Sequence, residues 1–212
     1  MTQLHVVVEG RTEFDFVQRI LKPHLESTLP THCVSAVRHK ERFAYAGLKK
    51  DVRRLLGGRG LQVVVTTMID LYKIPADFPE SRQFESDLPL DRVRKVERAF
   101  TSDIGDARFI PYVQLHEFEA LVLCGLNMLA ERHPDRRTEI RELEKRINQQ
   151  FRSPEEVDRL QPPSRRILQA IPGYAKIVDG IYVVESVGIG VLRQKCLHFG
   201  EWLVALEGAG RI

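Results

Sequence analysis

Hydrophobic and polar positions along the first half of the chain alternate between two periods. Apolar or β-branched runs, typical of strands buried on both faces, occupy residues 4–8, 33–37, 61–69 and 108–115. Between them, apolar residues recur every three or four positions, as on one face of a helix, in segments that begin near Thr12, Leu48 and Leu90, and a loop is predicted over 71–89. The order β-α-β-α-β-α-β predicts an α/β fold with a mostly parallel central sheet and helices on both faces.

The pattern after residue 125 is helical. One helical face carries Ile140, Leu143, Ile147 and Phe151, and shorter helices are predicted over 154–160, 164–170 and 199–206. Phe199 and Trp202 are assigned to packing in the core. We therefore predict an α/β core over residues 1–125 and a helical C-terminal part over 126–212 that packs on it, with Pro162-Pro163 as either a boundary or a turn.

Composition places the chain among globular proteins and adds little about its partners. Of 212 residues, 43% are hydrophobic and 29% charged, and the formal charge of +3 is too small to indicate a nucleic-acid binder by itself. The odd number of cysteines, Cys33, Cys124 and Cys196, predicts buried thiols in a reducing compartment. Because neither a signal-peptide pattern nor a membrane-length apolar segment is visible, we predict a cytoplasmic protein without membrane association.

Acidic residues follow three of the predicted strands. Glu9 follows the first strand, Asp70 the third, and His116, Glu117 and Glu119 the fourth. The carboxyl ends of parallel strands meet at one edge of a sheet, so we expect these side chains to lie together. Converging carboxylates repel one another unless a cation lies among them, and such hard oxygen ligands suit Mg²⁺ or Mn²⁺. The pattern therefore indicates a metal site suited to phosphodiester chemistry.

Each of these residues also has an ordinary structural interpretation. Glu9 fits a surface acid at a strand end, Glu117 and Glu119 are favourable at a helix N-terminus, and His116 fits a hydrogen-bonded strand end. The same choice applies to basic residues, which either contact phosphate or lie on a solvated helix face. For Lys49, Lys50, Arg53 and Arg54 we favour the solvated face, and for Arg165, Arg166 and Lys176 both interpretations stay open.

Several motifs together resemble one known family. They are Val8–Glu13, Thr67–Tyr72, Gln114–Leu121, Pro163–Leu168, Tyr174–Lys176 and Arg193–Trp202. Over almost the full length, the chain resembles the domain of unknown function 4276 family, which is regarded as TOPRIM-like. The resemblance implies a setting beside an ATPase in phage-defence or mobile-element systems.

The resemblance also implies roles for particular residues. In TOPRIM-like proteins a glutamate after the first strand serves as acid or base, and an aspartate after the third strand binds Mg²⁺. Glu9 and Asp70 stand at those positions. A second aspartate usually follows two positions later, where this chain has Tyr72. Glu117, Glu119 or Asp77 is our hypothesis for the missing oxygen ligand.

The expected function is a Mg²⁺- or Mn²⁺-dependent nuclease or other phosphodiester-cleaving enzyme that acts on DNA or RNA. The expected roles are catalysis for Glu9 and His116, metal binding for Asp70, Glu117, Glu119 and Glu9, and phosphate contact for Lys176, Arg165 and Arg166. Two alternatives are a non-catalytic TOPRIM-like subunit that regulates an ATPase and a protein that binds a nucleotide through Mg²⁺. Assembly as a homodimer is left open.

Overall fold

A computed structural model describes residues 2–29, 32–39, 44–58, 62–80, 88–157 and 160–209. The strands are β1 (Thr2–Val8), β2 (His32–Arg38), β3 (Gln62–Asp70), β4 (Phe109–Ile110) and β5 (Val113–Gln114). The helices are α1 (Arg11–Phe16), α2 (Lys22–Thr28), α3 (Tyr45–Leu56), α4 (Pro89–Ile104), α5 (Glu119–Val122), α6 (Leu126–Arg132), α7 (Arg137–Gln150), α8 (Pro163–Ala170), α9 (Ile181–Val187), α10 (Ile189–Lys195) and α11 (Leu197–Gly208). Predictions that involve Leu61, 81–87 or 158–159 fall outside the described residues at those positions.

The sheet is parallel throughout its described pairs. Its strand order is β2-β1-β3-β4, and β5 pairs with β3 beyond the end of β4. The predicted parallel sheet is therefore confirmed. Because β1, β3 and β5 all run in one direction, the residues that follow them emerge at the same edge.

The fourth predicted strand is interrupted, contrary to the expectation of one strand over 108–115. Pro111 has no backbone N–H and cannot continue the ladder, so β4 and β5 form on either side of it. The Thr67 hydroxyl fills this gap: it accepts the Tyr112 N–H and donates to the Tyr112 carbonyl, each at 3.0 Å. The pairing register with β3 is consequently the same before and after the interruption.

Two hydrophobic layers cover the sheet, one on each face. Leu4, Val6 and Val8 of β1 pack with α1, α2 and the C-terminal helices. Val7 of the same strand packs on the opposite face with α3 and α4. The alternation along β1 follows from the period of two in a strand, and it confirms the predicted helices on both faces.

The C-terminal helices share the first of these layers. Trp202 stacks on Tyr112 at a centroid distance of 4.2 Å, and its indole N–H donates to Thr66 Oγ1 at 2.8 Å. Phe199 is also fully buried, which confirms the packing role predicted for both aromatic residues. The division into parts at residue 125 stays a prediction. Along the described segments, no helix is both long and apolar enough to cross a membrane.

Two parts of the helical pattern differ from expectation. Helices α9 and α10 were not predicted; Gly188 joins them with a positive φ of 78°, which favours glycine. The helix predicted over 154–160 is wrong for residues 154–157, where a 3₁₀ turn over Pro154–Glu156 ends in extended Val157. Glu155 in this turn accepts the N–H groups of His198 and Phe199 at the start of α11. The turn therefore caps another helix instead of continuing as one.

The three cysteines have free thiols. Cys124 and Cys196 are buried, as predicted, with sulfur atoms 3.4 Å apart, whereas Cys33 is only half-buried.

Two glycines should respond in opposite ways to alanine substitution. Gly105 ends α4 with φ 71° and ψ 27°, a left-handed conformation that costs an alanine about 1 kcal/mol. Gly190 lies in the first turn of α10, where an added Cβ meets nothing within 4 Å. We expect Gly105→Ala to lower the free energy of unfolding by about 1 kcal/mol and Gly190→Ala to raise it by about 0.5 kcal/mol. Urea unfolding measures both, and equal signs would contradict the assigned backbone conformations.

The contact between α11 and α4 should make stability depend on pH. His198 Nε2 lies 3.0 Å from Glu97 Oε2, and Glu97 also accepts the Val113 N–H at 2.8 Å. Burial lowers the pKa of His198, but the hydrogen bond and charge of Glu97, with further nearby carboxylates, outweigh it, so the pKa is raised.

A raised histidine pKa gives stability that is complete below about pH 6.5, the unfolded value, and is lost as the pH rises through the folded value. We therefore expect the free energy of unfolding to fall more between about pH 6 and about pH 8.5 in the native protein than in Glu97→Gln. Urea titrations at the two pH values test this. An identical pH dependence in both proteins would show that the pair carries no such linkage.

Candidate functional site

The predicted acidic edge forms at the carboxyl ends of β1, β3 and β5. Glu9 follows β1, and its Oε2 accepts the backbone N–H of Asp70 at 3.4 Å. Asp70 is the last residue of β3, and Glu119 begins α5 shortly after β5. Asp70 and Glu119 are each 2% exposed or less. The parallel topology thus brings together residues that are far apart in the sequence.

The ammonium group of Lys176 lies among these carboxylates. Its Nζ is 3.2 Å from Glu119 Oε2, 3.7 Å from Glu13 Oε1 and 4.0 Å from Asp70 Oδ2. It also lies 5.7 Å from the centre of the Phe118 ring, within cation–π range. The sequence suggested phosphate contact for Lys176, whereas its partners in the structure are acidic side chains.

For both Lys176 and Glu119, burial and the neighbouring charges shift the pKa in opposite directions. Burial lowers the pKa of Lys176, but the surrounding carboxylates outweigh it, so the pKa is raised and the ammonium form is favoured. For Glu119, burial raises the pKa, and the neighbouring charge of Lys176 offsets this only in part. The lysine therefore stabilises acids that would otherwise repel one another.

Glu13 is a site residue that the sequence reasoning missed. It lies in the first turn of α1 and is 5% exposed, which is unusual for a glutamate. A Cβ added to Gly10 would meet Glu13 Oε2 at 2.6 Å, so the glycine leaves room for this carboxylate. Its position in the first turn of the helix that follows Glu9 was a signal, but spacing alone does not show the direction of its side chain.

Glu117 has a structural contact in addition to its place near the site. Its Oε1 accepts the backbone N–H of Ser164 at 2.6 Å, in the first turn of α8. A carboxylate at a helix N-terminus satisfies a free N–H and interacts favourably with the helix dipole. Glu117 still contributes charge at the site, because it raises the pKa of Glu119.

The two arginines of α8 differ in their surroundings. Arg165 is exposed, whereas Arg166 is buried at 8% exposure. Arg166 Nε donates to the Gln161 carbonyl at 2.7 Å, and its guanidinium lies 5.2 Å from the Phe151 ring centre. Arg166 thus holds the turn before α8, and Arg165 presents its guanidinium to solvent.

His116 shapes the backbone between β5 and the acidic residues after it. Its φ is 62°, in the left-handed region, and its carbonyl accepts the Tyr72 N–H at 3.0 Å. Tyr72, at the position where the resemblance led us to expect a second aspartate, has an exposed side chain. Asp77, the other proposed oxygen ligand, is exposed and accepts the Tyr45 N–H at the start of α3 at 3.4 Å.

Asp179 fixes the turn that carries Lys176. This π-helical turn spans Lys176–Gly180 and leads directly into α9. Asp179 Oδ2 accepts the Ala175 N–H at 2.8 Å, and Oδ1 accepts Arg132 Nε at 2.5 Å. Burial raises the pKa of Asp179, but these donors and the charges of Arg132 and His133 outweigh it, so the pKa is lowered.

The donor chemistry of the site suits a divalent cation, although the present arrangement holds an ammonium. Protein Mg²⁺ ions need oxygen ligands at about 2.0–2.1 Å, whereas Lys176 Nζ has its carboxylate neighbours at 3.2 to 4.0 Å. Over the described ranges, no group of three or more His, Cys, Asp or Glu side chains is arranged to hold a metal ion. The acidic residues at this edge are Glu9, Glu13, Asp70, Glu117 and Glu119. Carboxylate oxygens are the ligands that a hard cation prefers, so the chemistry of these residues fits such a cation once the ammonium leaves the centre.

Removal of the Asp179 carboxylate should destabilise the Lys176 turn. We expect Asp179→Ala to lower the free energy of unfolding by roughly 2 to 3 kcal/mol, because it leaves the Ala175 N–H and Arg132 without their charged acceptor. Exposed Asp135 provides the matched control, and Asp135→Ala should change stability by less than about 0.5 kcal/mol. Urea unfolding of both variants gives the comparison. A change of similar size in both would mean that Asp179 does not anchor the turn.

Comparison with known proteins identifies one family. The model of the domain of unknown function DUF4276 matches residues 8–207. No curated protein and no solved structure matches the chain. The family match includes every residue of the acidic edge and Lys176. The chain therefore belongs to the DUF4276 family.

Proposed function

We propose that this protein is a Mg²⁺- or Mn²⁺-dependent phosphodiester-cleaving enzyme, a nuclease that acts on DNA or RNA. The observation that carries the proposal is the convergence of buried carboxylates at one sheet edge. Asp70, Glu119 and Glu13 surround the ammonium of Lys176, and Glu9 hydrogen-bonds to the backbone beside them. Carboxylates that converge in this way are costly to bury, and ordinary cores rarely contain them.

A divalent cation would allow the negatively charged acidic edge to bind a negatively charged phosphate. Without it, the acidic edge would repel a phosphodiester. Asp70, Glu119 and Glu9 would hold the cation, because they lie together at the strand ends. When bound, it would neutralise phosphate charge and activate a water molecule. The TOPRIM-like interpretation of the family supports the same assignment for Glu9 and Asp70.

The remaining residues have supporting roles in the proposal. Glu9 would exchange a proton with the attacking water or the leaving oxygen. Exposed Arg165 would contact a substrate phosphate from the first turn of α8, next to the Ser164 N–H that Glu117 accepts. His116 would act through its backbone, since its left-handed conformation directs the chain from β5 towards Glu119.

A second candidate is a non-catalytic subunit that docks on an ATPase. The observation that favours it is a set of exposed apolar side chains near the acidic edge in sequence: Tyr72 at 55%, Ile177 at 46% and Val178 at 55%. Ile177 and Val178 are adjacent in the chain, and contiguous exposed apolar side chains are typical of protein interfaces. Both candidates agree with a cytoplasmic location, where the free thiols of Cys124 and Cys196 would stay reduced.

Loss of the central carboxylates should abolish metal-dependent cleavage. We expect Asp70→Asn and Glu119→Gln each to reduce cleavage of a mixed pool of DNA and RNA in Mn²⁺ by about a hundredfold or more, because each removes charge from the metal position. Exposed Glu142 on α7 supplies the matched control, and Glu142→Gln should cleave normally. The measurement is the initial cleavage rate in Mn²⁺, in Mg²⁺ and with EDTA.

The outcomes separate the candidates. Cleavage that needs both metal and Asp70 supports the nuclease. Cleavage that persists in Asp70→Asn or in EDTA contradicts it. If metal binds but no polymer is cut, binding of a nucleotide to the loaded protein would favour the Mg²⁺-dependent nucleotide-binding alternative. Absence of metal binding, cleavage and nucleotide binding would favour the ATPase subunit.

A further inference from the structure

We propose that Lys176 and a divalent cation compete for the same carboxylates. In this account the ammonium is a built-in cation that stabilises the acidic edge of the metal-free protein and leaves the centre when metal binds. The inference rests on the proposed function for the identity of the competing cation. It gives Lys176 a role in the proposed function: this residue would control how tightly the carboxylates bind the metal.

Carboxylates from three separate elements converge on the ammonium of Lys176. Glu13 comes from α1, Asp70 from β3 and Glu119 from α5, and an oxygen of each lies within 4.0 Å of Lys176 Nζ. All three carboxylates are at most 6% exposed. Without a cation, their mutual repulsion would be weakly screened by water. Lys176 therefore lies where three buried carboxylates converge, which is also the position that a metal would take.

The Lys176 ammonium and a metal ion cannot occupy this position at the same time. A metal bound by Asp70 and Glu119 would lie within a few ångströms of the present Nζ, because Nζ contacts both side chains. Two like charges at that distance in a buried site repel strongly. A metal ion also needs the carboxylate oxygens closer together than they lie around an ammonium. Metal binding must therefore displace the lysine.

The lysine has a path out of the centre. Its side chain is 31% exposed, whereas the surrounding carboxylates are nearly inaccessible. Its four-carbon stem is flexible, and the hydrogen bonds of Asp179 hold the backbone of its turn in place. Displacement thus needs only rotation of the stem, and the released ammonium stays at the entrance of the site. A substrate phosphate would meet a positive charge there, which makes Lys176 a phosphate contact of the metal-loaded protein.

Removal of the lysine charge should strengthen metal binding. We expect Lys176→Met to bind Mn²⁺ at least about tenfold more tightly than the native protein, because the metal no longer displaces a cation. Exposed Lys145 on α7 provides the matched control, and Lys145→Met should bind Mn²⁺ as the native protein does. Mn²⁺ affinity is measured directly by electron paramagnetic resonance of the free ion, with circular dichroism to verify that each variant is folded.

A second measurement uses the native protein and does not depend on folding of the variant. Labelling of lysines with an amine-reactive ester, quantified by peptide mass spectrometry, reports the exposure of each Nζ. We expect Mg²⁺ to increase labelling of Lys176 at least about threefold while leaving Lys145 unchanged, since only the Lys176 ammonium leaves a position among carboxylates.

The results distinguish this inference from the proposed function. Tighter Mn²⁺ binding by Lys176→Met, or metal-induced labelling of Lys176, supports competition. Equal affinity in the variant and native proteins, with unchanged labelling, overturns competition and leaves the metal-dependent function intact. If Mn²⁺ binds to neither protein, both the metal-dependent function and the competition are overturned. Binding of Mn²⁺ by Lys176→Met and not by the native protein would also support competition.

Discussion

The cost of burying several carboxylates at one sheet edge governs the organisation of this protein. Asp70, Glu119 and Glu13 are almost inaccessible to water, and like charges in such surroundings repel each other unless a cation compensates them. Lys176 provides that compensation in the structure. The lysine follows all five strands in the sequence, so the acidic edge at the strand ends depends on the helical segments after β5.

Several polar contacts fix the turn that carries Lys176 and the helices near it. Asp179 fixes the turn through the Ala175 N–H and Arg132, and Trp202 attaches α11 to the sheet through Thr66. Glu155 caps α11 through two backbone N–H groups. These contacts are polar and buried or partly buried, so each specifies one arrangement of helices more sharply than apolar packing alone. Among them, the Asp179 contacts hold the backbone turn from which Lys176 projects.

The fold class could be predicted because strand and helix periods are local properties of the sequence. The break at Pro111 was not predicted, although proline cannot donate to a ladder. The side-chain bonds of Thr67 that preserve the register depend on tertiary contact. Helices α9 and α10 were missed because their short apolar stretches, separated by Gly188, do not reach a recognisable helical length.

The site was predictable to the extent that topology determines it. Glu9, Asp70 and Glu119 follow parallel strands, and this alone indicated that they meet. Burial of Glu13 and convergence on Lys176 depend on side-chain directions that spacing does not reveal. The hydrogen bond from Ser164 to Glu117 likewise required the position of α8.

The most direct test of the central claim is anomalous diffraction from a crystal of the native protein grown with Mn²⁺. The account predicts a peak between Asp70 and Glu119, with the Lys176 ammonium displaced towards solvent. An ammonium that stays among the three carboxylates, with no anomalous peak at this edge in saturating Mn²⁺, would contradict it.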